Sequence, residues 1–254
     1  MQGERAALCC TSPPYAQQRT YRDGATAHVA DWDALMQGVF AAAPVHDDAQ
    51  IVVNLGLVYR KGRCEQYWLK WLDWMEARGW RFFGWYIWDK LSGLPGDFRG
   101  RFAPAHEFLF HFNRTGKKPV KFLPKKPASI KVSHGTALRA VDGRQRKVSS
   151  PLASLATTKI PDSVVRMTRA TASHTPIDHP AIFPVALPKF IMQAWPGLVY
   201  EPFGGSGTSL LAAEELGQTC CAMEISPHYC DVAIQRWQRH TGLTAQRVKT
   251  RSAA

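Results

Sequence analysis

An α/β fold built on a doubly wound sheet is what this chain of 254 residues predicts, and three observations carry it. The tail from Leu198 onward reads as strand, glycine-rich turn, helix, strand, acid and helix, which is one half of such a sheet. The start, Ala6-Ala7-Leu8-Cys9-Cys10, is a short apolar run stopped by two prolines, as a buried strand ending in a rigid loop would be. Composition is 45% hydrophobic over a length that fills one sizeable core with an inserted or appended part, which excludes bulk disorder.

The elements follow in chain order. After the first strand, residues 17–27 are polar and irregular, and a helix begins at Asp31-Trp32 and runs through residue 40. The β-branched run 50–55 predicts a second strand. Residues 67–78 form the clearest helix: Trp68, Leu72 and Met75 share one face with Trp71 beside them, and Gly79 is placed to end it. The aromatic runs 80–88 and 107–112 read as strands. At residue 113 the composition shifts to a basic segment rich in Pro, Ser and Thr, which predicts a separate lobe or insertion through residue 175. Order returns near Pro188, with a helix over 189–195 and a strand over 198–200 entering the glycine turn. A helix over 208–216 closed by Gly217, a strand over 219–223 stopping at Glu224, and a helix over 227–239 complete the chain, which shows no internal repeat.

Charge is unevenly placed. The formal net charge is +12, and the stretch 113–169 alone holds fourteen lysines and arginines against Asp142 and Asp162, a surplus equal to the whole. A polyanionic partner is implied, although charge alone does not separate DNA from RNA or a membrane surface. No charged start followed by an apolar stretch marks secretion, and no apolar run reaches membrane-spanning length. Cys9-Cys10, Cys64, Cys220-Cys221 and Cys230 include two adjacent pairs and no C-x-x-C, which suits a reducing cytoplasm better than a disulfide scaffold. His28, His46 and His134 lack companions at ligand spacing, so no metal site is expected.

The turn Glu201-Pro202-Phe203-Gly204-Gly205-Ser206-Gly207-Thr208 removes side chains where strand becomes helix, so a ligand can approach the backbone. Glu224, twenty residues beyond Gly204 at the end of the next strand, is placed to accept two ribose hydroxyls. The third glycine of the dinucleotide pattern and the lysine of the phosphate loop are both missing. A sulfonium cofactor carries a ribose without phosphate and needs neither, and Phe203 supplies an apolar wall.

Thr11-Ser12-Pro13-Pro14-Tyr15 suits methyl transfer to an exocyclic amine of adenine or cytosine. That nitrogen is a poor nucleophile because its lone pair is delocalised, so catalysis must draw it toward tetrahedral geometry and align it. Ser12 and the carbonyl of Pro13 offer acceptors for the two amine hydrogens, and Tyr15 offers a stacking face for a base extruded from the duplex. Methylation at cytosine C5 needs a cysteine nucleophile, and Cys9 and Cys10 instead lie inside a predicted strand.

These residues resemble the motifs of beta-class amino-group DNA methyltransferases. Thr11-Ser12-Pro13-Pro14-Tyr15 is similar to the catalytic motif, and the segment 201–208 to a cofactor motif usually written Asp-Pro-Phe-x-Gly-Ser-Gly-Thr. Asn54-Leu55-Gly56, Trp88-Asp89-Lys90, His106-Glu107-Phe108-Leu109, His179-Pro180-Ala181-Ile182-Phe183-Pro184, Glu224-Ile225-Ser226-Pro227 and Tyr229-Cys230 resemble further segments. The resemblance implies a Rossmann-like methyltransferase fold with a mixed, seven-stranded sheet flanked by helices, in circularly permuted order. It implies S-adenosylmethionine as donor, with His179 and Phe183 helping to hold it, and double-stranded DNA of defined sequence as substrate. It divides the chain into a catalytic half (1–112), a target-recognition region (113–175) and a cofactor half (176–254). A bacterial or phage restriction-modification setting in the cytoplasm at the nucleoid is implied, and a homodimer, as many such enzymes form.

Glu201 stands where Asp is usual, and the extra methylene is expected to move its carboxylate toward the methionyl amine. Ser12 is commoner among enzymes acting on the cytosine amine, which inclines the reading to cytosine N4 over adenine N6. Arg99 and Arg101 are candidates for phosphate contacts near the flipped base. Lys117, Lys118, Lys121, Lys125, Lys126, Arg139, Arg144, Arg146 and Lys147 are candidates for the recognition surface, the arginines being better suited to guanine edges. The rival readings are an RNA base methyltransferase, and a catalytically weak DNA-binding regulator with a degenerate cofactor site.

Overall fold

A computed structural model describes residues 3–16, 31–93, 100–124, 137–139, 145–147, 157–169 and 183–248. In chain order the elements are β1 (Ala6–Thr11), α1 (Trp32–Ala41), β2 (Val45–Leu55), β3 (Val58–Arg60), β4 (Arg63–Glu65), α2 (Leu69–Ala77), β5 (Arg81–Asp89) and β6 (His106–Asn113). There follow β7 (Leu123–Pro124), β8 (Ala137–Arg139), β9 (Gln145–Lys147), β10 (Thr158–Lys159), β11 (Val164–Arg166) and α3 (Ala186–Ala194). The chain continues through β12 (Val199–Glu201), α4 (Thr208–Glu214), β13 (Cys220–Ala222) and α5 (Pro227–Thr241).

A seven-stranded sheet runs in the order β11-β5-β6-β2-β1-β12-β13. Only β6 opposes its neighbours, so the sheet is mixed, with helices on both faces. β1 lies at its heart, parallel to β2 on one side and to β12 on the other, with Cys9 beside both Ile51 and Tyr200. Strand periodicity divides the core. Cys9, Ile51 and Val53 face Met36, Phe40, Trp71 and Met75 of α1 and α2. Leu8, Cys10 and Val52 face Leu187, Ile191, Ala212 and Ala213 of α3 and α4. Cys9 and Cys10 are therefore small buried core residues whose thiols burial pushes well up.

The predicted elements recur with shifted ends. Asp31 caps α1 by accepting the amide of Ala34 at 2.9 Å, and Gly79 leaves α2 with φ +80°. β2 begins at Val45, five residues early, because exposed His46-Asp47-Asp48 hides the strand pattern. α3 begins at Ala186 and carries Pro188 in its first turn, where a missing amide hydrogen costs nothing. α5 continues two residues beyond expectation to Thr241, and Gly242 with φ of +72° closes it. The β3–β4 hairpin was not expected. Predicted as a separate lobe, the stretch 113–175 contributes Val164–Arg166 to the main sheet as an edge strand parallel to β5. Its Val120 amide also bonds the carbonyl of Ala194 at 2.9 Å.

Candidate active site

Parallel pairing of β1 with β12 brings the two terminal motifs together, because both strands end on the same edge of the sheet. Thr11 at the end of β1 donates its hydroxyl hydrogen to Glu201 at the end of β12. Glu201 is only 1% exposed, and its carboxylate also accepts Ser209 Oγ at 2.8 Å and the amide of Phe203 at 3.0 Å. Burial pushes this carboxyl up to about 7, outweighing the pull of the three donors, and the charge of Glu224 adds to the rise. The carboxylate is engaged within the protein, where the added methylene lets it bridge strand, turn and helix.

Pro202, Ser206 and Thr208 are buried in the turn, while Phe203 is half-buried beside the aromatic core. Gly204 donates its amide to Met223 O at 2.7 Å, and Gly207 donates to Gly204 O at 2.9 Å. Gly205 and Gly207 have φ of +49° and +79°. A Cβ on Gly207 would stand 2.8 Å from that of Ala233, so α5 presses directly on the turn. Glu224 accepts the amide of Gly205 at 2.6 Å and that of Ser226 at 2.9 Å. Among the described residues each of its oxygens accepts one backbone amide, which leaves a lone pair on each for a hydroxyl donor.

Arg236 of α5 is 8% exposed and inserts behind the turn, donating to Ser206 O at 2.6 Å, Ser206 Oγ at 2.8 Å and Thr208 Oγ1 at 3.1 Å. No site role was predicted for it. A signal existed: it lies three residues after Ala233 and seven after Tyr229, a charged residue on the buried stripe.

The catalytic-type loop is fixed from below. Pro13 is buried, and the carbonyl of Pro14 accepts Trp32 Nε1 at 2.8 Å. Tyr15 donates its phenol hydrogen to Glu107 Oε2 at 2.7 Å. Asn54, 5% exposed, donates to the same carboxylate at 2.7 Å and lies 3.4 Å from Ser12 Oγ and 3.3 Å from Tyr15 Oη. Lys90 closes the network on Glu107 Oε1 at 2.5 Å, the two side chains being 11% and 15% exposed. Burial and the adjacent Glu107 charge hold the Tyr15 phenol neutral well above its usual range. Gly56 admits the ring, since a Cβ there would meet Tyr15 at 2.5 Å. Asn54, Lys90 and Glu107 lie in segments the resemblance named, but only the ends of β2, β5 and β6 meeting at one edge reveals that they hold Ser12 and Tyr15.

Phe183 is half-buried and packs with the α3 core. Arg101 is exposed, its guanidinium 4.2 Å from the centre of the Tyr59 ring. Lys117, Lys118 and Lys121 are exposed, and the backbones of Arg139, Arg146 and Lys147 lie in the β8–β9 hairpin. Arg99, Lys125, Lys126, Arg144 and His179 fall outside the described residues. Some of the basic surplus is engaged within the protein: Arg114 pairs with Asp47 at 2.7 Å, Lys159 with Asp162 at 2.6 Å, and Arg169 donates to Gly93 O at 3.1 Å. Among the described residues no cluster of three or more His, Cys, Asp or Glu is placed to hold a metal ion, and no helix is long and apolar enough to cross a membrane.

The sequence pattern of the DNA methylase family N6_N4_Mtase matches residues 6–235. The type II methyltransferase M.SmaI of Serratia marcescens is 26% identical over 265 residues, covering 89% of this chain and 82% of that protein. The type II methyltransferase M.XycI of Xanthomonas campestris pv. cyanopsidis is 26% identical over 172 residues, covering 66% of this chain and 49% of that protein. Among solved structures, PvuII DNA methyltransferase (cytosine-N4-specific) superposes with a TM-score of 0.63 at 23% identity over 92% of this chain and 80% of that one. The M1.HpyAVI–SAM complex superposes with a TM-score of 0.54 at 17% identity over 92% and 90%. At these identities the structural likeness is one of fold.

Proposed function

Because the chain belongs to the N6/N4 DNA methylase family, we propose that it methylates the exocyclic amine of a base flipped out of double-stranded DNA, with S-adenosylmethionine as donor. The observation that carries this reading is the Thr11–Glu201 contact, which locks the Ser12–Tyr15 loop and the glycine turn side by side at one edge of the sheet.

The residues present fit the cofactor. The turn bares its backbone, because Gly204, Gly205 and Gly207 carry no side chains and a Cβ at Gly204 or Gly207 would collide with β13 or α5, and Glu224 keeps acceptor capacity suited to ribose hydroxyls. Gly204, Gly205, Gly207, Phe203 and Glu224 would hold it, with Phe183 and His179 from the preceding segment. The bound sulfonium supplies an electrophilic methyl group. Ser12 Oγ and the Pro13 carbonyl accept the amine hydrogens and draw the nitrogen lone pair out of conjugation. Tyr15 stacks on the extruded ring, and Glu107 with Lys90 and Asn54 fixes the tyrosine so that little reorganisation remains. Ser12 in place of an acid or amide inclines the target to cytosine N4, the specificity of the PvuII enzyme. The segment 113–175 would supply target recognition, with the exposed Lys117, Lys118 and Lys121 at its start.

The test incubates the protein with S-adenosylmethionine and duplex DNA, followed by sequencing that detects modified bases. N4-methylcytosine in one fixed context is the expected product. N6-methyladenine would reassign the base, and unmodified DNA would overturn the reading. Ser12→Ala and Tyr15→Ala are each expected to lower turnover about 10²-fold while leaving cofactor affinity nearly unchanged. Wild-type turnover in both would remove those roles.

A further inference from the structure

The β3–β4 hairpin, outside the basic segment, carries a set of local choices that folding alone disfavours. Arg60 and Arg63 stand directly opposite each other across its two strands, a like-charge pair. They flank a two-residue turn in which Lys61 has φ +47° and Gly62 has φ +78°. Such a turn needs left-handed backbone at both positions, and its first position favours Asn, Asp or Gly over lysine. Arg101, from a different part of the chain, is brought onto the same hairpin, stacking over Tyr59 and reaching Gly62 O at 3.5 Å. Within the hairpin the one acid is Glu65, held by Arg60 at 3.2 Å. Opposed positive charges held at one exposed, backbone-strained tip point to a polyanion that offsets the charge.

The position names the polyanion. The hairpin leaves the sheet immediately after Gly56, whose backbone lies against the Tyr15 ring, and Tyr67 donates to Gly56 O at 3.0 Å to tie down its far side. Five extended residues place the tip within about 18 Å of Gly56, the residue against the Tyr15 ring, a span of a few nucleotides along a strand.

We propose that the β3–β4 hairpin is a second DNA-contact element, gripping backbone phosphates beside the extruded base through Lys61, Arg63 and Arg101. The proposal rests on the methyltransferase reading above. It assigns the catalytic half a phosphate clamp of its own, so that positioning of the flipped nucleotide does not depend on the recognition segment alone.

The experiment measures binding of wild type and the double variant Lys61→Asn/Arg63→Gln to a duplex across a salt series. Asparagine is a preferred residue in this turn, so the variant keeps the hairpin, and an unchanged melting temperature and cofactor affinity verify that. The slope of log K against log salt is expected to flatten by roughly two, with affinity at 0.15 M salt falling about tenfold or more. A second readout uses Cys64, the exposed cysteine, the other five being buried or half-buried. Its alkylation is expected to slow when duplex is present. A wild type that binds and methylates DNA, with an unchanged slope in the variant and unprotected Cys64, overturns the hairpin proposal and leaves the methyltransferase reading standing. A wild type that neither binds nor methylates duplex overturns both. Loss confined to RNA binding in the variant would overturn the DNA assignment of the hairpin.

Discussion

Glu201 concentrates several roles in one side chain. It is buried, yet it is the junction through which Thr11, the Phe203 amide and Ser209 are held in register. With its folded pKa raised from 4.5 to about 7, the folded protein retains a proton that the unfolded chain releases above pH 4.5. Stability contributed by this group is therefore fully present below pH 4.5 and lost as pH rises through about 7, a change of about 3 kcal/mol. Glu201→Gln has no such proton to lose. Urea unfolding of both proteins from pH 4.5 to 8 should show the wild type losing about 3 kcal/mol relative to the variant across that window. A difference independent of pH would show that the carboxyl titrates normally.

The glycine turn gains its shape from α5. Ala233 sits against Gly207, and three positions later Arg236 fills the back of the turn with donors for a backbone carbonyl and two hydroxyls. Helical spacing makes this possible, since the two residues lie on one face. Gly207→Ala places a Cβ 2.8 Å from Ala233 on a left-handed backbone, so helix and turn must separate. Calorimetry should find the variant destabilised by about 2–4 kcal/mol, from backbone strain together with overpacking, and cofactor affinity reduced at least tenfold. Normal cofactor affinity would mean that the ligand does not lie against this turn.

Taken as a whole, the molecule does not divide where its motifs divide. The expected cofactor half, 176–254, supplies β12 and β13, but the neighbour of β12 in the sheet is β1 from the first residues of the chain. The buried Leu8 and Cys10 complete the core under α3 and α4. A fragment spanning 176–254 would expose that face and the open edge of β12. It is expected to show an unfolded circular dichroism spectrum and no cofactor binding. A folded, binding-competent fragment would show that the halves are independent. β11 crosses the other expected boundary, joining the end of the basic segment to β5 with Arg166 set 3.5 Å from Asp89.

Local pattern was enough for most elements, because period-2 and period-3.6 burial are written in short windows: Ala6–Thr11, the Trp68-Trp71-Met75 stripe and the glycine turn were all legible. Motif spacing was enough to nominate Ser12, Tyr15, Gly205 and Glu224. Polar strand starts hid the beginning of β2, and the Lys61-Gly62 hairpin lacked the usual turn pair. The sheet order alone united Thr11 with Glu201, 190 residues apart, and brought Asn54, Lys90 and Glu107 under Tyr15. Those partners come from different strands whose ends meet at one edge. Which strands become neighbours is set by long-range pairing and core packing, and no window of sequence contains that information.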